Sequence, residues 1–266
     1  MIRDLRSEPG AGDVDADVCV VGAGAAGLSL AARLARSGLR VAVLEAGGRE
    51  REEASQSFYR GENVGLPRLP LEVTRLRCLG GTTQHWTGLC APLEARDFRA
   101  RPWLPESGWP IGPEDLARYY REAAGIVGLG PEALELDLTN LLGRALPPIS
   151  SDVLSPFVLP YAPRLRLADA LGPGLAAAAN VELLLHAGAT HLQAAAGARR
   201  VDHVVFRTPD GRERRAVARA YVLCCGGIES ARLLLLSDDV APRGLGNERD
   251  LVGRFFMDHP FLRTGE

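Results

Sequence analysis

Residues 18–27 read Val18-Cys19-Val20-Val21-Gly22-Ala23-Gly24-Ala25-Ala26-Gly27, and this stretch decides the fold. The apolar, β-branched run Ala16 to Val21 predicts a strand, the Ala- and Leu-rich run Ala25 to Arg36 a helix, and Arg40 to Leu44 a second strand ending at Glu45. Each glycine between the first strand and the helix has a task. Gly22 permits the tight turn, Gly24 lets backbone approach a pyrophosphate with no side chain between, and Gly27 lets helix and strand pack closely. Ala25 and Ala26 open the helix, whose first N–H groups and positive dipole end favour phosphate. Glu45, at the expected distance, supplies acceptors for a ribose diol, and an acid there disfavours a 2′-phosphate. A dinucleotide, FAD or NAD, is the expected ligand.

The rest of the chain is consistent with an α/β protein. Helices are expected over Pro113 to Gly125, Leu167 to Ala179 and Ile228 to Ser237, and strands over Val181 to Leu185, Ala189 to Ala195 and Val201 to Thr208. Pro209-Asp210-Gly211 predicts a hairpin turn into the run that ends at Ala220 to Cys225. The stretches from Gly47 to Phe58 and on to Gly81, and from Pro92 to Pro113, carry no clear period.

Composition narrows the function. Of 266 residues, 46% are hydrophobic, enough for a packed core, and 31 basic against 33 acidic residues leave a net charge of -2. That balance gives no electrostatic reason for nucleic acid or an anionic membrane as partner. No run approaches the ~18 apolar residues of a membrane span, and the N-terminus is charged where a secretory signal is apolar, so a cytoplasmic location is expected. Five cysteines without CxxC spacing read as reduced, mostly buried small side chains, and no metal site is expected.

Four stretches, in order, resemble the glucose-methanol-choline (GMC) oxidoreductases. They are the glycine fingerprint with Glu45-Ala46-Gly47-Gly48, then Leu79-Gly80-Gly81-Thr82-Thr83-Gln84-His85-Trp86-Thr87-Gly88, then Cys225-Gly226-Gly227-Ile228-Glu229-Ser230-Ala231-Arg232, and last Asn247 with Leu251-Val252-Gly253-Arg254-Phe255-Phe256-Met257-Asp258-His259-Pro260. The resemblance implies FAD as cofactor and a Rossmann-like FAD-binding domain, a parallel sheet with flanking helices and a smaller antiparallel sheet. It implies that 14–90 and 181–250 are the two parts of that domain, 91–180 an insertion or cap with the edge of a substrate domain, and 251–266 the start of a truncated substrate domain.

It also implies site roles. Gly80 and Gly81 would lie against the flavin and pyrophosphate, with Thr82 and Thr83 supplying hydroxyls, and Gly226 and Gly227 would open a second helix toward the flavin nucleotide. The Thr-Thr-Gln-His-Trp-Thr loop is most similar to the sugar-oxidising, pyranose 2-oxidase-like branch. His85 is there the counterpart of a histidine bonded to the flavin 8-methyl group. It is read either as that covalent anchor or as a side chain packed near the ring, Trp86 as a wall of the site or as core, and Thr87 as near the reactive edge. His259 is assigned a structural role, and His186, His191 and His203 default to surface or core.

The implied reaction takes hydride from a CH–OH group of an alcohol or sugar to flavin N5, with a histidine base that the family draws from a C-terminal half. No counterpart of that base is found, so no catalytic residue is assigned. Three readings stay open: a split or truncated reading frame, a half that assembles with a separate partner chain, or a non-catalytic FAD-binding subunit.

Overall fold

A computed structural model describes residues 1–66, 68–130, 133–134, 159–163 and 166–258. The expectation for His259 lies outside these. At its centre is a five-stranded, wholly parallel sheet of β1 (Ile2–Asp4), β3 (Val18–Val21), β4 (Val41–Leu44), β5 (Val181–Leu185) and β9 (Ala220–Leu223), in the order β1-β5-β4-β3-β9. In register, Val18 to Val21 pair with Val41 to Leu44 on one side and Ala220 to Leu223 on the other. The strands read as continuous apolar runs because both faces are covered.

One face, with Val20, Val43 and Leu183, packs under α1 (Ala25–Leu34) and α5 (Leu167–Ala177) through Leu28, Ala31 and Leu175. The other, with Cys19, Val21, Leu44 and Leu184, packs on a second sheet through Leu192, Val204 and Phe206. That sheet holds β2 (Val14–Asp15), β6 (Gly188–Ala194), β7 (Val201–Arg207) and β8 (Glu213–Val217), in the order β2-β8-β7-β6. The helix α6 (Gly227–Leu236) joins the same layer through Leu233, and Ser237 Oγ accepts from Leu192 N at 2.9 Å. Short α2 (Glu53–Gln56) and α3 (Leu71–Thr74), the longer α4 (Pro113–Ile126) and 3-10 turns at Ser57–Tyr59 and Gly81–Gln84 complete the described elements.

Two expectations are corrected. The hairpin partner of β7 is β8, and β9 lies in the other sheet beside β3, so the run expected as one strand is two. The Glu213-Arg214-Arg215-Ala216-Val217 strand is short and charge-rich with one buried residue, Ala216, too little alternation to read. The smaller sheet is mixed, because β2 joins β8 in parallel. The first strand, β1, pairs in parallel with β5, Ile2 to Asp4 opposite Leu183 to Leu185. All five cysteines are free, with Cys19 and Cys78 buried and Cys90, Cys224 and Cys225 half-buried.

Candidate nucleotide-binding site

The carboxyl ends of β4, β3 and β9 open onto one cleft of about 1220 Å3, lined among others by Gly22, Gly24, Glu45, Thr82 and Gly226. That exceeds the roughly 300–1,000 Å3 of ordinary ligand pockets and suits a long ligand lying across several strands.

The three fingerprint glycines do different work. Gly22 has φ +99°, and a Cβ there would stand 2.7 Å from Cys224 O. A Cβ on Gly27 would stand 1.9 Å from Gly22 O. Both are therefore demanded by the protein itself. Gly24 is not: its φ of -78° suits any residue, and its Cβ would meet nothing nearer than Cys224 O at 4.0 Å. The space beside it is open to the cleft. It is also the N-cap of α1, which has no side-chain cap and no acid in its first turn, so the N–H groups over Ala25 and Ala26 face the lining unanswered.

Glu45 is buried, and its two oxygens accept from Ala23 N and Gly47 N, each at 2.9 Å. Burial pushes its carboxyl pKa up, while those backbone N–H groups pull it down. Each oxygen retains a second acceptor position, and both Glu45 and Ala46 line the cleft.

The Leu79–Thr83 loop comes from the other side. Gly80 N donates to Ala23 O at 2.9 Å, and a Cβ on Gly81 would stand 3.0 Å from Gly24 Cα. Thr82 lines the cleft, whereas the Thr83 hydroxyl donates to Gly80 O at 2.6 Å and so holds the loop's own turn. Gly226, at φ +82°, caps α6 without a side-chain bond, and a Cβ on Gly226 or Gly227 would meet nothing within 4 Å. Gly22, Gly24, Ala25, Ala26, Glu45, Ala46, Gly81, Thr82, Thr83, Gly226 and Gly227 are thus brought to one lining, with Gly27 and Gly80 as its supports. His85, Trp86 and Thr87 lie outside that lining, and His85 and Thr87 are exposed.

Other residues in and behind the cleft wall were not singled out by sequence. Buried Gln56 binds the segment before the loop: its Nε2 donates to Glu72 O (2.8 Å) and Arg75 O (2.5 Å), and its Oε1 accepts from Arg77 N (3.1 Å). Arg77 Nη1 lies 3.1 Å from Glu229 Oε2, and the guanidinium stands 5.4 and 5.3 Å from the rings of Phe58 and Tyr59. Burial pushes the Tyr59 phenol up to about 12. At the far end His186 is buried, with Nδ1 2.8 Å from Asp4 and Nε2 2.9 Å from Glu52. For the first group the sequence shows two arginines ahead of Gly80-Gly81, but what groups them with Gln56 and Glu229 is not local. Nothing local announces the second.

A βαβ unit whose glycine loop, helix N-terminus and carboxylate converge on such a cleft defines a dinucleotide-binding α/β protein. The family model described as FAD dependent oxidoreductase (DAO) matches residues 17–245, and the chain belongs to that family. The chain is also similar to curated proteins named GMC-type oxidoreductases. It is 30% identical to an uncharacterized GMC-type oxidoreductase of Mycobacterium tuberculosis, over 92% of this chain and 42% of that protein. It is 25% identical to the fructose dehydrogenase large subunit of Gluconobacter japonicus, over 93% of this chain and 59% of that one. The crystal structure of a formate oxidase shares the fold, with a TM-score of 0.55 at 20% identity, over 85% of this chain and 48% of that one. The chain spans about half the length of the curated relatives it matches.

The residues fit FAD. Gly24 leaves a cradle that no protein atom needs, two uncapped helix N-termini face the cleft, and Glu45 keeps acceptors toward it. Among the described residues no cluster of His, Cys, Asp and Glu could hold a metal ion, and no helix is long and apolar enough to cross a membrane.

Proposed function

We propose that this chain is the FAD-holding part of an oxidoreductase acting on the CH–OH group of an alcohol or sugar. The observation that carries it is the convergence of two uncapped helix N-termini, each opening at a glycine with free space beside it, on a single cleft. When bound, FAD supplies N5 as the hydride acceptor. Gly22, Gly24, Ala25 and Ala26 would hold the diphosphate, with Gly27 beneath them. Glu45 and Ala46 would receive the ribose. Gly80, Gly81, Thr82 and Thr83 would present backbone and hydroxyl to the flavin side, as would Gly226 and Gly227. His85 is proposed as the residue next to the ring, through a bond to the 8-methyl group or by contact alone, with Trp86 and Thr87 beside it.

The proton of the substrate hydroxyl needs a base. Among the described residues His186 is the only histidine lining the cleft, and both of its nitrogens face carboxylates. This supports a base supplied by residues outside the described site, from the further length its relatives possess or from a separate chain. The same observation supports the second reading, a non-catalytic FAD-binding subunit. The name of the Gluconobacter relative, a large subunit of a sugar dehydrogenase, favours a sugar or alcohol substrate and a partner chain. A cytoplasmic location is proposed with it.

The test is the visible spectrum of the purified chain, before and after acid precipitation. A flavin spectrum is expected, and colour kept in the pellet shows a covalent bond and supports His85 as its anchor. Flavin released to the supernatant removes the bond and keeps the cofactor. A colourless chain that takes up no added FAD overturns the proposal.

A further inference from the structure

Arg75, extended at φ -128° and ψ 145°, and Arg77, two residues on, both line the nucleotide cleft with Leu76 between them. The buried Gln56 amide fixes this strap by bonding the carbonyl of one and the N–H of the other. At one end, the Arg77 carbonyl lies against Gly47, so closely that a Cβ there would stand 1.9 Å from it. At the other, the Arg77 guanidinium reaches Glu229 in the first turn of α6. Gly47 follows β4 and α6 follows β9, and β3 with its glycine loop lies between those strands. Arg77 therefore bridges the segments that follow β4 and β9, and Gly22, Gly24, Ala25 and Ala26 belong to the same cleft lining.

The charges on it are not balanced internally. Arg6, Arg207 and Arg232, the other arginines of the lining, each hold a carboxylate. Arg75 makes one bond, from Nη1 to Thr74 O at 3.0 Å, and among the described residues no carboxylate lies within ion-pair range of it. Arg77 Nε is buried without a partner. Glu229 alone answers both Arg77 and Arg232. Guanidinium donors left over in a half-buried wall match the acceptor oxygens of a doubly charged diphosphate ester.

We propose that Arg75 and Arg77, pinned by Gln56, form a second wall of the diphosphate site, facing the N-terminus of α1. Arg75 is the direct phosphate ligand, and Arg77 is shared between the diphosphate and Glu229. This rests on the FAD reading above and adds to it a pair of side-chain ligands.

The experiment titrates the full chain with FAD and with ADP, by fluorescence and calorimetry, at about 50 and about 500 mM salt, where exposed charge pairing is progressively screened. Wild type should bind both ligands more weakly at high salt. Arg75→Met should weaken both about tenfold, the loss of one charge-assisted contact, and flatten the salt dependence. Arg75→Lys should recover part of it, which separates lost charge from lost folding. Glu229→Gln should tighten FAD, because it frees Arg77, whereas Arg77→Met should weaken it. The proposal is overturned if Arg75→Met binds as wild type does, if wild-type binding ignores salt, or if Glu229→Gln weakens FAD as much as Arg77→Met. Wild type that takes up neither ligand overturns the FAD reading itself, a result distinguishable from these.

Discussion

Gly24 and Gly27 are three residues apart in one motif, yet they are glycine for different reasons. The Cβ of Gly27 would stand 1.9 Å from Gly22 O, so Gly27→Ala must displace α1 from β3. A loss of about 1–3 kcal/mol or more in urea unfolding is expected, as for other overpacked contacts. Gly24 has ordinary φ and open space. Gly24→Ala should leave stability within about 1 kcal/mol of wild type and lower FAD affinity more than tenfold. FAD titration of a Gly24→Ala protein with wild-type affinity would place the diphosphate elsewhere. Glu45 joins both roles, because it bonds Ala23 N and Gly47 N inside the protein. In Glu45→Gln, one backbone N–H must face an amide NH2, and a buried unanswered donor costs about 1–3 kcal/mol. An unchanged unfolding midpoint would show that the two bonds do not hold the loop. These residues were legible because their chemistry is written at fixed offsets along one βαβ unit. Arg75 and Arg77 were not, because what makes them a site is Gln56 and Glu229, brought in from distant segments.

At the scale of elements, the core strands were legible from their continuous apolar runs, and β1 was not. Ile2-Arg3-Asp4 carries two charges in three residues and gains its place from Leu183 to Leu185, far along the chain. Its anchor is His186, which follows β5 in a left-handed conformation, φ +56°, and sits between Asp4 and Glu52. Ionised carboxylates only accept, so both bonds form together only when both ring nitrogens donate. The Arg6 guanidinium, chiefly, holds the Asp4 carboxyl down at about 2, with His186 adding to it. A carboxyl lowered on folding stabilises the fold above its unfolded pKa and loses that contribution as pH falls toward its folded one. The Asp4 contribution should therefore be intact above about pH 4 and lost on approach to pH 2, as the model-peptide value near 3.9 requires. It should be about 1 kcal/mol, allowing for partial solvent screening. Urea midpoints taken across this range should fall in wild type, and Asp4→Asn should remove that part of the fall. A variant that follows the wild-type acid limb unchanged would mean that β1 is not held by this cluster.

The described fold brings early and late segments of the chain to one cleft. The glycine loop and Glu45 come from the first βαβ unit, whereas α6 enters from β9, late in the chain, and docks beside β3. Between them the described chain makes α4 and most of the second sheet, of which Gly188, Ala189, Thr190 and Arg207 line the cleft. A ligand lying across β4, β3 and β9 therefore joins segments that are otherwise tied mainly by strand pairing, and it binds the folded state alone. At about 100 times its Kd, such a ligand adds about 2.7 kcal/mol, which for a chain of this size raises Tm by roughly 5–10 °C. ADP tests how that stabilisation divides, because it reaches Glu45 and the α1 N-terminus and carries no flavin to reach Gly226 and Gly227. Matched for saturation, FAD should raise Tm and also protect the backbone amides of α6 from hydrogen exchange, whereas ADP should protect the turn from Gly22 to Gly27, the segment around Glu45 and the Arg75 to Arg77 strap, and leave α6 as it was. Equal protection of α6 by ADP would mean that the second helix N-terminus responds to the nucleotide end, and the flavin would then have to be placed on another wall of the cleft.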